Sequence, residues 1–208
     1  MRTSTAEELS GRKGLRMVAP DDCPSQAEYI KYFDDAIAVM QTEAALERIA
    51  YELCVDSAAE NIDYLEVRWA PRLHQRQGLT VEQVIDAVLT GIHAGPIEAA
   101  AIVCAMRQDT PSDNVDLARI AGAFAGRGVV GFDLAGPEVG YPSWIHDDAF
   151  AAAKAAGLHL TCHAGEAGDP FNVSDAVRDL GVERIAHGVT GARNPDIVEM
   201  LRREGIVL

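Results

Sequence analysis

A histidine and a glutamate stand three residues apart in the stretch Leu160–Gly168, LTCHAGEAG. An apolar run leads into His163 and glycines surround Glu166, which is typical of side chains presented where a strand ends. A neutral imidazole binds divalent metals, and a desolvated carboxyl group transfers protons near neutral pH. These two residues are therefore candidates for a metal ligand and a proton donor. Their spacing alone also fits a half-buried histidine and a carboxylate at the start of a helix.

Two other stretches carry comparable residues. His187 follows an apolar run in ERIAHG and precedes a glycine. If the two histidines end adjacent strands, His163 and His187 lie within several ångströms of each other. Gly136 and Glu138 belong to GVVGFDLAGPE, which either offers a backbone group to a substrate or forms an ordinary tight turn. Asp133 in the same stretch either orients a histidine or caps a turn.

The remaining sequence predicts the elements that hold these residues. From about residue 42 onward, an amphipathic helix, a short turn and a short apolar strand alternate. Thr42, Thr80 and Asn194 are predicted helix N-caps, and Thr80 forms a capping box with Gln83. The strand candidates are IDYLEVRWAP, AAIVCAM, GVVGFDLAG, HLTCHAG, ERIAHG and GIVL. Strands separated mostly by helices predict right-handed parallel βαβ units.

Two architectures built from such units compete, a doubly wound open sheet and an eight-stranded barrel. No G-x-G-x-x-G or P-loop follows a strand candidate, which disfavours a nucleotide-binding open sheet. Polar residues at the ends of several strands favour a barrel, where such ends meet at one mouth: Arg68, Asp133, His163 and His187. We predict an α/β fold, an incomplete (β/α)8 TIM-type barrel with about six of its eight units, as a single domain over residues 1–208.

The charge and composition limit the partners. The 208 residues carry a formal net charge of −14. Such a surplus of carboxylates argues against nucleic acid and anionic membrane surfaces, because phosphate binding needs clustered Lys and Arg. The four cysteines are widely scattered, and no apolar run approaches the roughly 18 residues of a membrane span. We expect core thiols, a cytoplasmic location and a small neutral or cationic substrate, and the oligomeric state stays open.

Four stretches together resemble the adenosine deaminase family, in its bacterial branch. YLEVRWAP, VVGFDLAGPE, LTCHAGEAG and RIAHG stand in the family's order and at plausible separations. The resemblance runs from about Ala6 to Leu208, and FDDAIAVMQT is similar to the segment over the family's nucleoside pocket. It implies a zinc-dependent (β/α)8 barrel that deaminates a purine nucleoside, adenosine, to inosine and ammonia.

The resemblance also implies a role for each matching residue. His163 would be a zinc ligand, and Glu166 would donate a proton to the purine ring nitrogen beside the attacked carbon. His187 would hold and activate the zinc-bound hydroxide. The backbone N–H of Gly136 would donate a hydrogen bond to a purine nitrogen. In this scheme the metal lowers the pKa of its water, and the acid removes the charge that builds up on the ring.

Two parts of the family's pattern are absent from this sequence. The family begins with a strand bearing H-x-H, two zinc ligands, and its eighth strand ends in an Asp-Asp pair that supplies another. This chain has no H-x-H, and its Asp-Asp pairs lie outside strand ends. Because zinc sites use three or four protein ligands, we expect the chain to bind little zinc and to be inactive alone. We interpret it as a fragment that lacks the first strand and the last one or two.

Two other functions stay open. Relatives that share HAGE include deaminases of other substrates, so adenine or another aminopurine nucleoside is the first alternative. The second alternative belongs to a different class, a catalytically dead barrel relative that serves as a binding or dimerisation module. Zinc content and inosine production together separate these possibilities.

Overall fold

The computed structural model describes residues 1–208, apart from the side chain of Ala27. The described residues contain five strands, which form one sheet in chain order. They are β1 Tyr64–Trp69, β2 Glu98–Met106, β3 Val129–Ala135, β4 His159–Ala164 and β5 Arg184–His187. The strand β4 pairs in parallel with both β3 and β5. The predicted alternation of helices and parallel strands is confirmed here.

The helices lie mostly between the strands. They are α1 Thr3–Ser10, α2 Gln26–Ile30, α3 Asp34–Val39, α4 Glu43–Ala59, α5 Val81–His93, α6 Pro111–Ala123, α7 Asp147–Ala155, α8 Phe171–Leu180 and α9 Pro195–Glu204. Among the described residues, no helix has both the length and the apolar character that a membrane crossing requires.

The predicted helix starts are confirmed by their hydrogen bonds. The Thr42 side chain accepts the backbone N–H of the third helical residue of α4. Thr80 and Gln83 make both bonds of a capping box at α5. Asn194 caps α9, whose first residue is proline. These contacts satisfy backbone donors that a helix start otherwise leaves without partners.

The sixth strand candidate, GIVL, is reduced to a single bridge. Val207 pairs in parallel with Arg184 of β5. The backbone of Ile185 donates to the Val207 carbonyl at 2.8 Å, and Val207 donates to the Glu183 carbonyl at 3.3 Å. Two hydrogen bonds around one residue are too few for a strand, so the number of strands differs from the prediction by one.

Two compact units are distinguished in the chain, and the single predicted domain stays a prediction. The first unit comprises Met1–Val67 and Pro71–Ala101. Its helices α4 and α5 pack closely together. At Gly91 a Cβ atom would overlap the carbonyl oxygen of Glu47 and the side chain of Ala50. Glycine therefore permits the close approach of these two helices.

A buried carboxylate also joins α1 to α4 in the first unit. Glu52 accepts a hydrogen bond from the Thr5 hydroxyl at 2.5 Å and another from Nε of Arg48 at 3.0 Å. Burial raises the pKa of Glu52, but these hydrogen bonds and the charges of Arg2 and Arg48 outweigh it, so the pKa lies below its usual value. The ionised form of this side chain therefore stabilises the contact between the two helices.

The second unit comprises Arg68–Ala70 and Ile102–Leu208. Helices α7 and α8 pack against β4, and α6 packs against β3. Phe132 of β3 and Phe150 of α7 meet edge to face with ring centroids 5.4 Å apart, and both are fully buried. This packing fixes the carboxyl ends of β3 and β4, where the candidate site residues lie.

Candidate active site

The second unit brings the predicted site residues to neighbouring strand ends. His163 lies near the end of β4, and His187 is the last residue of β5 and pairs in register with Ala164. Gly136 directly follows β3, and Glu166 follows β4 by two residues. The imidazole rings of His163 and His187 lie 5.4 Å apart between centroids, which confirms their predicted proximity.

Asp133 is the partner of the His163 ring. Its Oδ2 atom lies 2.8 Å from Nδ1 of His163, and the side chain is fully buried. The Cys104 thiol donates to the same oxygen at 3.2 Å, and Nε of Arg68 lies 3.9 Å away. Of the two hypotheses for Asp133, contact with a histidine is the one that the structure shows.

The neighbours of Asp133 keep it ionised. Burial raises the pKa of its carboxyl group, but the proximity of His163, the charge of Arg68 and the Cys104 thiol outweigh burial. The pKa therefore lies below its usual value. A buried carboxylate against Nδ1 leaves Nε2 as the ring nitrogen of His163 that can bind a metal or a substrate.

Glu166 and His187 form the exposed side of this cluster. Oε2 of Glu166 lies 3.7 Å from Nε2 of His187, and their side chains are 30% and 38% exposed. Both functional groups are thus accessible to a small molecule while they remain close together. An acid and an imidazole at this separation can act on neighbouring atoms of one substrate.

The backbone of His187 adopts a conformation that is unfavourable for its residue type. Its φ angle is +76°, in the left-handed region that glycine adopts most readily. The following residue, Gly188, donates its N–H to the Ala164 carbonyl at 2.9 Å. Strain of this kind persists where the surrounding structure enforces it and occurs often at functional sites.

Position 136 also requires glycine. Its φ angle is +100°, and a Cβ atom there would lie 2.6 Å from Oε1 of Gln108 and 3.4 Å from the backbone nitrogen of Arg107. This conformation fits both an exposed backbone donor and an ordinary tight turn. The role of the Gly136 N–H toward a purine therefore stays a prediction.

Glu138 has a function in this site that sequence reasoning missed. Its carboxylate is 4% exposed and accepts the backbone N–H groups of the four consecutive residues Gly165–Gly168. The side chain of Asn172 donates a fifth hydrogen bond at 3.0 Å. The loop that carries Glu166 is thus bonded to the β3 end. No local sequence signal links residues that are 27 positions apart.

Arg107 was also missed, although it supports the same strand ends. The residue is 1% exposed, and its guanidinium group donates to the Tyr141 carbonyl at 2.7 Å and to the His163 carbonyl at 2.8 Å. Buried cations need such acceptors, because leaving them without partners is costly. Arg107 therefore fixes the main chain of His163, while Asp133 lies against its ring.

The described residues do not complete a zinc site. No group of three or more His, Cys, Asp and Glu side chains within them is arranged to hold a metal ion. His163 fits one ligand position, because a carboxylate against its Nδ1 atom is the usual support of a metal-binding histidine. Three or four protein ligands are needed in total. The residues of this chain therefore account for only part of a zinc site.

Comparison with known proteins gives this arrangement a family. The family model for adenosine deaminase matches residues 14–208. The chain belongs to the adenosine deaminase family. An adenosine deaminase from Shewanella halifaxensis is 43% identical over 199 residues, which cover 92% of this chain and 59% of the relative. One from Clostridium kluyveri is 40% identical over 190 residues, covering 89% of this chain and 55% of the relative.

Two solved structures match nearly the whole chain. An amidohydrolase from Burkholderia ambifaria with bound zinc has a TM-score of 0.84 at 27% identity, covering 99% of this chain and 60% of its own. An Arabidopsis N6-mAMP deaminase has a TM-score of 0.86 at 26% identity, covering 100% and 67%. The predicted fold class, an incomplete (β/α)8 barrel, is confirmed. This chain spans 55% and 59% of the two curated relatives and 60% and 67% of the two solved structures.

Proposed function

We propose that this chain carries part of the active site of an aminohydrolase that converts adenosine and water to inosine and ammonia. The observation that carries the proposal is the meeting of His163, Glu166 and His187 at adjacent strand ends, in a chain of the adenosine deaminase family. The curated relatives at 40% and 43% identity bear the name adenosine deaminase. Adenosine is therefore the first substrate to test.

We assign the roles of the residues from the motifs that they share with the adenosine deaminase family. The carboxyl group of Glu166 donates a proton to the purine ring nitrogen beside the carbon that water attacks. His187 lies 3.7 Å from Glu166 and takes a proton from the attacking water. The backbone N–H of Gly136 donates a hydrogen bond to another purine nitrogen. His187 then passes its proton to the exocyclic amino group, which leaves as ammonia, and the added hydroxyl returns a proton to Glu166. One water is consumed for each ammonia released.

His163 is the one zinc ligand that this proposal assigns among the described residues. A bound zinc ion supplies a water of lowered pKa to such a reaction. His163, with Asp133 against its Nδ1 atom, is the described residue that is suited to bind it. The other ligands of a zinc site are not provided by the described residues. We accordingly expect the 208-residue chain by itself to bind little zinc and to release no measurable inosine.

Two alternatives remain for comparison. The first is the deamination of adenine or of another aminopurine compound, since a relative at 26% identity is an N6-mAMP deaminase. The second is a module that binds a partner without catalysis. The higher identity to proteins named adenosine deaminase favours adenosine over both alternatives.

The test is to purify the full-length gene product, determine its zinc content and follow the conversion of adenosine by absorbance. Adenine and N6-methyl-AMP are measured alongside as competing substrates. Stoichiometric zinc with inosine production supports the proposal. If only adenine or only N6-methyl-AMP is turned over, that compound is the substrate and adenosine is not. A zinc-free protein that turns over none of the three refutes the enzymatic function.

A further inference from the structure

The loop Gly165–Gly168 is bonded to one carboxylate through every one of its backbone N–H groups. The N–H of Gly165 donates to Oε1 of Glu138 at 2.6 Å, and the next three N–H groups all donate to Oε2 at 3.0 Å. Successive N–H groups that point to one spot form a concave site for an anion. Here the anion is a side chain of the protein itself.

Two glycines make room for this arrangement. At Gly168 a Cβ atom would overlap Nδ2 of Asn172 and would lie 2.8 Å from Cδ of Glu138. Gly165 has a φ angle of +72°, and a Cβ atom there would lie 2.6 Å from the side chain of Val173. Side chains at either position would therefore displace the carboxylate or the loop. The contact with Glu138 thus requires glycine at position 168, whereas Val173 leaves no room for a side chain at position 165.

We propose that Glu138 is the positioning residue of the active site, which holds the Gly165–Gly168 loop so that Glu166 faces His187. The loop contact follows from the structure alone, whereas its bearing on deamination rests on the function proposed above. Glu138 acts through the main chain of the loop.

The charge of Glu138 is essential to this role. Burial raises the pKa of its carboxyl group, but the hydrogen bonds from the loop N–H groups and from Asn172 outweigh burial, so the pKa lies below its usual value. A glutamine of the same shape could accept hydrogen bonds through one atom only and would turn its NH2 group toward N–H donors. An aspartate keeps both acceptors on a shorter side chain.

The first experiment measures amide hydrogen exchange in the 208-residue protein by NMR. Glu138→Gln should speed exchange of the Gly165–Gly168 amides at least about tenfold, because several charge-assisted hydrogen bonds are lost together. Glu138→Asp should retain more protection than the glutamine variant. Glu199→Gln, at an exposed glutamate that pairs with Arg202, is the matched control and should leave the four amides unchanged.

If Glu138 only filled space, the order of the exchange rates would be the opposite. The Glu138→Gln variant would then lie closer to the wild type than Glu138→Asp. That order, or unchanged exchange in Glu138→Gln, would overturn the proposal. If a variant does not fold, the wild-type protein still provides the test. The four amide shifts should titrate together with one midpoint below 4.5, the ordinary glutamate pKa. Four different midpoints would contradict a shared acceptor.

The second experiment concerns catalysis by the full-length gene product. Glu138→Gln should lower kcat by at least about tenfold with a smaller change in KM, because a misplaced proton donor affects the chemical step more than binding. A change confined to KM would contradict the positioning role. If the wild type shows no deamination, the proposed function fails while the exchange result on Glu138 still decides the loop contact.

Discussion

Oδ2 of Asp133 lies 2.8 Å from Nδ1 of His163, across the neighbouring strands β3 and β4. The carboxylate is fully buried, whereas the imidazole is partly exposed. The buried Asp133 therefore determines that the accessible His163 presents Nε2 rather than Nδ1. Asp133 also receives the Cys104 thiol from β2, so that three strand ends meet at this oxygen. The first prediction tests this contact.

Asp133→Asn should weaken the zinc affinity of the full-length gene product by about 10–100-fold, the usual effect of losing the carboxylate behind a metal-binding histidine. Competition with a chromogenic chelator measures the affinity. Asp116→Asn is the matched control, because Asp116 is exposed and pairs with Arg119 on the surface. Equal zinc affinity in the two variants would show that the His163 ring does not depend on Asp133.

In the full-length gene product, Glu166→Gln should lower the turnover of adenosine by about 10²–10⁴-fold, because glutamine cannot donate a proton to the purine ring. Its zinc content should match that of the wild type, since no metal contact is assigned to Glu166. Turnover is followed by absorbance and zinc by atomic absorption. Wild-type rates in this variant would refute the role of Glu166 as proton donor.

His187→Gly should leave the free energy of unfolding unchanged or raise it by up to about 1 kcal/mol, because glycine adopts a φ angle of +76° with little strain. In the full-length gene product, the same change should abolish the deamination of adenosine. Urea unfolding and adenosine turnover measure the two effects. Asn61→Gly is the control, since Asn61 has a φ angle of +64° and asparagine tolerates that region better. A large loss of stability in His187→Gly would mean that its side chain contributes more than its backbone strain costs.

Acid should lower the stability of the first unit, because it protonates Glu52. Its pKa in the folded protein is lowered, so the stabilisation is present above the ordinary value of 4.5 and is lost as the pH falls through the folded pKa. The free energy of unfolding should therefore fall more steeply below pH 4.5 in the wild type than in Glu52→Gln. Glu47→Gln, at an exposed position of the same helix, should follow the wild type. Parallel curves for all three proteins would contradict this expectation.

Local signals predicted much of the fold. The caps at Thr42, Thr80 and Asn194 depend on residues within one helical turn, and the apolar runs of the strands depend on their immediate neighbours. The proximity of His163 and His187 also followed from the sequence, because consecutive parallel strands place their carboxyl ends side by side. These features need no knowledge of distant contacts.

Contacts between distant residues could not be predicted in this way. Glu138 and Arg107 bind main-chain groups, which every residue carries, so no pattern of side-chain types marks their partners. The sixth strand was predicted from its apolar composition, yet strand formation also needs a sequence of paired residues. Val207 has one such pairing, with Arg184. A hydrophobic run therefore indicated the place of this segment but not its extent.

The N–H groups of Gly165–Gly168 bear on the binding of phosphate. A run of N–H groups beside a site for purines would ordinarily attract phosphate. In this protein all four N–H groups already donate to the carboxylate of Glu138. A nucleotide would therefore gain nothing from this loop and would need a cation elsewhere to compensate its phosphate. The main chain of this loop is therefore closed to phosphate as a hydrogen-bond partner.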